Sequence, residues 1–259
     1  MKIIAVDIGN SKTRLALVEE RKVSAPRQLA NADVARFPTE LIALYNEIGR
    51  QKIKPVVICS VVPEICRQVE RAVRHVTESE PLVIGRKIPL PIPLDLSDAT
   101  TVGHDRVLAA AMAHERMETA VVVADFGTAV TIDCVSAEGV FLGGAILPGL
   151  RLSAYALSSY TAALPLIEKP VVPATVWGRN TAEAISAGIV FGAIGALREI
   201  VERYATRLGR WPEVILTGGD AELIAKHCDF AKAVVPDLLL MGIELAYEYW
   251  VESRTEDAQ

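Results

Sequence analysis

Cysteine is scarce in this chain, and so are aromatic residues and blocks of one charge. The four cysteines, Cys59, Cys66, Cys134 and Cys228, show none of the paired spacings of a zinc site. Two of them lie in or next to apolar strands, so they read as small core hydrophobes of a reducing compartment. Aromatics make up 5% of residues and the formal net charge is −5, with no run of Lys or Arg; both argue against a nucleic-acid partner. Small anionic substrates are not excluded, because a local cluster of donors can bind them on an acidic protein. No apolar stretch approaches the roughly 20 residues that cross a bilayer. Met1 and Lys2 run straight into strand-like residues, which leaves no room for a signal peptide. The expectation is a cytoplasmic protein. A P-loop is missing too: "GNSKT" has Ser11 where that motif needs a glycine before the lysine.

What is present is the composition of an ordinary folded chain: 259 residues, 51% of them hydrophobic. Strands are expected at 2–8, 12–19 and about 22–30, followed by a helix from about Thr39, an N-cap after Pro38, to Arg50. "KPVVICSVV" reads as a buried strand, "PEICRQVERAVRHV" as an amphipathic helix opened by Pro63, and "PLVIG" as a further strand. An extended Pro-rich loop follows, and helix resumes near Gly103. The order then starts again: strands at 120–125, 129–136 and 139–147, a helix from Gly149 to Tyr160, and a long helix from Thr181 to Leu208. That last helix carries Gly188, Gly192 and Gly195 on one side, a smooth face suited to close packing of a helix or a dimer partner, with simple close packing expected. "EVILTGG" is a strand, the final helix starts near Pro236, and "SRTEDAQ" reads as a frayed tail. Each half is thus three antiparallel strands followed by helices alternating with parallel strands, and the domains divide at 1–116 and 117–259.

Both halves carry the same turn: an apolar strand, an Asp, any residue, a Gly and a hydroxyl or amide. They are "DIGNS" at Asp7 and "DFGT" at Asp125. Alone, either is an ordinary hairpin with an Asx-type turn. Repeated at the head of equivalent halves, the pair suits phosphoryl transfer, which needs backbone donors for phosphate oxygens and carboxylates for the metal that neutralises them. Asp7 is then Mg²⁺-associated, through phosphate or water. Asn10, Ser11 and the amides around Ile8 and Gly9 face phosphate, and Gly127 and Thr128 meet it from the other side of a cleft. Lys12 either touches phosphate or is solvated. In "GHDR", Asp105 and Arg106 fall on the first turn of a helix. A carboxylate there can orient or deprotonate an acceptor hydroxyl, and an Arg can grip a substrate carboxylate. His104 is a ligand, an acid or incidental. Gly218 and Gly219 let a flat ring approach the backbone, as an adenosine pocket requires.

The ordered set "DIGNS", "GHDR", "DFGTAVTID", "LGGAILPGL", "TAALP", "GRNTAEAISAGIVFG" and "TGGDAELI" resembles the type III pantothenate kinases nearly end to end, within the acetate kinase, sugar kinase, Hsp70 and actin superfamily. The resemblance implies an α/β fold of two tandem ribonuclease H-like (actin-like ATPase) domains with a cleft between them. It implies transfer of the ATP γ-phosphate to pantothenate, the first step toward coenzyme A, with Mg²⁺, a monovalent cation (K⁺ or NH₄⁺) and a homodimer. Carried onto this sequence, Gly103, His104, Asp105 and Arg106 match the substrate motif, with Asp105 as general base and Arg106 toward the pantothenate carboxylate. Asp125 matches the monovalent-cation ligand and Thr181 a pantothenate contact. Two alternatives are a regulatory homologue that binds nucleotide, and a sugar kinase of the same fold. Retention of Asp105 favours the enzyme.

Overall fold

The computed structural model describes residues 1–48 and 55–256. In chain order the strands are β1 (Lys2–Ile8), β2 (Lys12–Glu19), β3 (Lys22–Ala30), β4 (Val56–Ser60), β5 (Leu82–Val83), β6 (Val121–Phe126), β7 (Ala129–Val135), β8 (Phe141–Pro148), β9 (Glu213–Thr217) and β10 (Ala233–Val234). The helices are α1 (Phe37–Ile48), α2 (Pro63–Thr77), α3 (His104–Met117), α4 (Leu150–Ser159), α5 (Thr181–Leu208), α6 (Ala221–Ala225) and α7 (Leu238–Glu256). One five-stranded sheet has the order β3-β2-β1-β4-β5 and the other β8-β7-β6-β9-β10. These are the same topology twice, with the two antiparallel hairpins on one side and the parallel strands on the other.

In the first unit both faces of the sheet are covered, which is why β1 reads as a nearly unbroken apolar run. Ile4, Val6, Ile8, Leu15 and Ile58 pack on Phe37 and Leu41 of α1 and on Val69 and Val73 of α2. From the opposite face, Ile3, Ala5, Ala16, Val18 and Val57 pack on Leu108 of α3 and on Leu240, Ile243 and Ala246 of α7. Helices α3 and α7 touch at Gly242, where an added Cβ would stand 2.3 Å from the Leu108 carbonyl oxygen. In the second unit Val122, Ala124, Ile132 and Leu216 pack against Leu150, Ile224 and, on α5, Val190, Leu197 and Val201.

Four expectations need correcting. The compact units are not 1–116 and 117–259. The first comprises the described residues of Met1–Pro93, Ser97–Met112 and Asp237–Gln259, and the second Leu94–Leu96 and Ala113–Pro236. The cause is α7, whose apolar side covers the first sheet. Helix α1 begins at Phe37 rather than Thr39, because Pro38 is tolerated within a first turn and a 3₁₀ segment, Asn31–Arg36, leads directly into it. The expected end at Arg50 lies outside the described residues. Ser253–Glu256 is helical rather than frayed, with the Arg254 guanidinium over the Trp250 ring at 5.0 Å and the Ser253 hydroxyl donating to the Trp250 carbonyl. Finally, α5 is long and apolar enough to cross a bilayer by length and composition alone. One side of it, with Val190, Leu197 and Val201 fully buried, packs into the core of the second unit, and 33% of its apolar stretch is buried. One short strand, β10, has no counterpart in the expected order. All four cysteines are buried and unbridged.

Candidate active site

In the first unit Asp7 is the next-to-last residue of β1 and is half-buried. Ile8 follows it into the core, fully buried, with its carbonyl accepting from the Val61 N–H at 3.0 Å. Its side chain is therefore a packing group and not an ATP contact. The Gly9 N–H donates to the Lys12 carbonyl at 3.0 Å and closes a two-residue loop, Asn10 and Ser11, both exposed. Lys12 is exposed at the start of β2. Arg14, which the sequence did not single out, stands directly across from Asp7 in the β1–β2 register and pairs with Asp237.

Asp105 comes to the same end of this sheet. Cys59 on β4 is the parallel partner of Asp7 and is fully buried. Burial pushes its thiol well above the ordinary range, and the carboxylates of Asp7 and Asp105 push it the same way. Both carboxylates are thus close enough to act on one buried thiol. Burial also raises the Asp105 carboxyl above its usual value, against the lowering effect of the Arg106 N–H, which donates to Asp105 Oδ1 at 2.9 Å. The carboxylate folds back over Gly103, where a Cβ would lie 2.4 Å from Oδ1. Any larger residue would displace it. His104 has a packing role: its ring lies over Gly85, a left-handed residue (φ +79°) whose added Cβ would fall 2.0 Å from the imidazole Cε1.

The second unit repeats the arrangement with glycines around the carboxylate. Asp125 is next to last in β6 and half-buried, and Gly127 and Thr128 are exposed. Gly218 (φ +94°) leaves the space that Asp125 Oδ1 fills, since a Cβ there would be 2.3 Å from that oxygen. The Asp220 N–H donates to the Phe126 carbonyl at 3.1 Å, and a Cβ on Gly219 would meet nothing within 4 Å among the described residues. Asp125, Gly127, Gly218 and Gly219 are therefore assembled at the carboxyl ends of β6 and β9.

Thr181 lies elsewhere, at the start of α5 behind the Asn180 cap, whose Oδ1 accepts from the Glu183 N–H at 2.9 Å. It lines a largely apolar cavity of about 810 Å³ against α4 and α5, together with Leu147, Tyr160, Gly188 and Gly192. The expected close packing of Gly188, Gly192 and Gly195 is not found: a Cβ at any of them meets nothing within 4 Å among the described residues.

Among the described residues no group of three His, Cys, Asp or Glu side chains is placed to cage a metal. A Mg²⁺ that travels with a triphosphate asks the protein for only one or two carboxylates, which Asp7 fits. Asp125, a single half-buried carboxylate seated where Gly218 has no side chain, has the donor chemistry for a weakly held cation.

Solved structures share this architecture. A Campylobacter jejuni protein described as a Baf family transcriptional activator superposes with a TM-score of 0.64 at 20% identity, over 95% of this chain and 98% of that one. The MreB5 protein of Spiroplasma citri bound to ADP superposes at 0.55 and 11% identity, over 98% of each chain. Two units of one topology, each placing a carboxylate next to last in its first strand before a glycine turn, define a protein of the actin-like ATPase fold. The sequence comparisons narrow this class: a model of the type III pantothenate kinases matches residues 3–203. A type III pantothenate kinase of Dehalococcoides mccartyi is 36% identical over 95% of this chain and 97% of its own length. That of Geobacter sulfurreducens is 35% identical, with coverage of 95% and 98%. The chain belongs to the type III pantothenate kinase family.

Proposed function

We propose that this chain transfers the γ-phosphate of ATP to the primary hydroxyl of pantothenate, giving 4′-phosphopantothenate, the first step of coenzyme A synthesis. The observation that carries this reading is Asp105: a desolvated carboxylate shaped by Gly103 and, like Asp7, close enough to act on the Cys59 thiol. A raised carboxyl is matched to taking a proton from an acceptor hydroxyl. Arg106, one residue on, grips the pantothenate carboxylate as a planar fork. Asn10, Ser11 and the amides of their turn receive phosphate in the first unit, and Gly127 and Thr128 do so in the second. Gly218 and Gly219 admit the adenosine. Asp7 holds Mg²⁺ through phosphate or water, and Asp125 holds a K⁺ or NH₄⁺ that offsets phosphate charge.

The chain is a homodimer in this reading. Ile146, Leu152, Tyr155, Tyr160 and Phe191 are exposed on β8, the α4 region and α5, beside the glycines that meet no neighbour. A second copy covering that apolar face would reach Thr181 and the cavity. The unbridged buried cysteines suit a cytoplasmic location. The test is an ADP-release assay with pantothenate, glucose and glycerol as acceptors. Turnover with pantothenate alone supports the proposal, and turnover with a sugar overturns it.

A further inference from the structure

The two hairpins of the first sheet are built differently. The β2–β3 loop, Glu20 and Arg21, has both residues in the left-handed region (φ 51° and 60°), the type I′ geometry that matches strand twist and holds itself. The β1–β2 loop, Asn10 and Ser11, has neither residue there and so is not a self-sufficient turn of that kind. Something else must hold it.

Asn31, the first residue after β3, is placed to do so. Its side-chain amide donates to the Gly9 carbonyl at 2.8 Å and to the Asn10 carbonyl at 3.1 Å, and its backbone N–H donates to the Ser11 carbonyl at 3.0 Å. Its Oδ1 accepts from the hydroxyl of Thr13, a fully buried residue, at 2.9 Å. Every peptide bond described is trans, so each N–H points opposite to the carbonyl of its own peptide unit. With the carbonyls of Gly9 and Asn10 drawn toward Asn31, the N–H groups of Asn10 and Ser11 turn the other way, side by side, as an anion-binding concavity requires.

The second unit has a counterpart at the same topological position. Gly149, the first residue after β8, donates its N–H to the Thr128 carbonyl at 3.1 Å. A Cβ on it would lie 2.3 Å and 2.5 Å from the carbonyl oxygens of Gly127 and Thr128. Those carbonyls also face the residue that follows the third strand.

We infer that Asn31 is a positioning residue for the nucleotide: it gathers the carbonyls of residues 9–11 and thereby aims the adjacent N–H groups at phosphate. The inference rests on the assignment of this turn to phosphate, and its test separates the two. ATP affinity by calorimetry, steady-state kinetics and melting temperature are measured for the wild type, Asn31→Ala, Asn31→Asp, Thr13→Val and Asn10→Ala. Asn31→Asp keeps the size of the side chain and the acceptor for Thr13 but replaces the donor amide with an oxygen, so it tests the role even where Asn31→Ala folds poorly.

Both Asn31 variants should weaken ATP binding and raise KM for ATP about tenfold, as loss of charge-directed hydrogen bonding does, with KM for pantothenate nearly unchanged. Thr13→Val loses the same Thr–Asn bond and should melt lower while keeping ATP affinity within about twofold of wild type. If Thr13→Val weakens ATP as much as the Asn31 variants do, Asn31 only stabilises the sheet, and the inference falls. Wild-type ATP affinity in both Asn31 variants, with Asn10→Ala impaired, overturns the inference alone. If Asn10→Ala is also silent, the phosphate assignment of the turn falls with it.

Discussion

Arg14 and Asp237 are 223 positions apart in the chain, yet they form an ion pair that joins β2 to the residue preceding α7. Asp237 also accepts the Met241 N–H on its carbonyl at 3.1 Å, so one residue both caps the helix and holds the arginine opposite Asp7. The side chains are 28% and 29% exposed, which leaves the pair partly screened. In a double-mutant cycle of Arg14→Met and Asp237→Asn, followed by urea unfolding, the coupling should be about 1 kcal/mol. Strict additivity would mean that the pair contributes nothing to stability.

Asp105 should trade stability against activity. Burial raises its folded-state pKa, so the folded chain binds that proton more tightly than the unfolded chain does. Stability from this source is complete below the ordinary carboxylate pKa of about 4 and is lost as the pH rises through the raised value. Asp105→Asn removes the desolvated charge. The variant should melt above wild type at neutral pH, converge with it near pH 4, and lose about 10²-fold or more in kcat. A lower melting temperature at neutral pH would contradict the desolvation, and full turnover would remove Asp105 from the chemistry.

Arg106→Lys keeps the charge and loses the fork. A charge-assisted hydrogen bond contributes about 1.5–3 kcal/mol, so KM for pantothenate should rise roughly ten- to a hundredfold while KM for ATP barely moves. Pantothenol, which lacks the carboxylate, should respond similarly to both enzymes. An equal loss with pantothenol would assign Arg106 to bracing the start of α3.

Replacing Na⁺ by K⁺ in an otherwise identical assay should raise the rate, through Asp125. Gly218→Ala should abolish that difference and lower the melting temperature, because the new methyl would meet Asp125 Oδ1 and the Phe126 carbonyl carbon, at 2.3 Å and 2.6 Å, on a backbone with φ +94°. A Gly218→Ala enzyme that melts normally and still prefers K⁺ would show that the seat of Asp125 against Gly218 has no such role.

The sheets were legible from sequence because burial on both faces leaves long apolar runs, and a strand that ends in Asp-x-Gly is a local pattern. Asp7 and Asp125 stood out as candidates for that reason, and Asp105 because a helix starts beside it in "GHDR". Arg14 and Asn31 did not, since each draws its meaning from a partner fixed by register or by tertiary contact: Asp7 across the hairpin, Asp237 near the start of α7, and Thr13 inside the core. The same applies to α7. Its apolar side shows that it packs on something, but no local feature says that its partner is β1 rather than β9. The glycines of α5 misled for a related reason: small residues on one face mark an approach without naming what approaches.

Helix α7 gives the chain an order of folding. The sheet face of Ile3, Ala5, Ala16, Val18 and Val57 is made early in synthesis, but its cover of Leu240, Ile243 and Ala246 is translated only after residues 113–236. At typical ribosomal rates that interval is on the order of 10 s, far longer than a hairpin takes to form. The nascent first unit must therefore wait with an apolar surface exposed while the second unit, nearly contiguous in sequence, can close behind it. A stalled chain ending before Asp237 should present a folded second unit and a protease-sensitive, chaperone-binding first one.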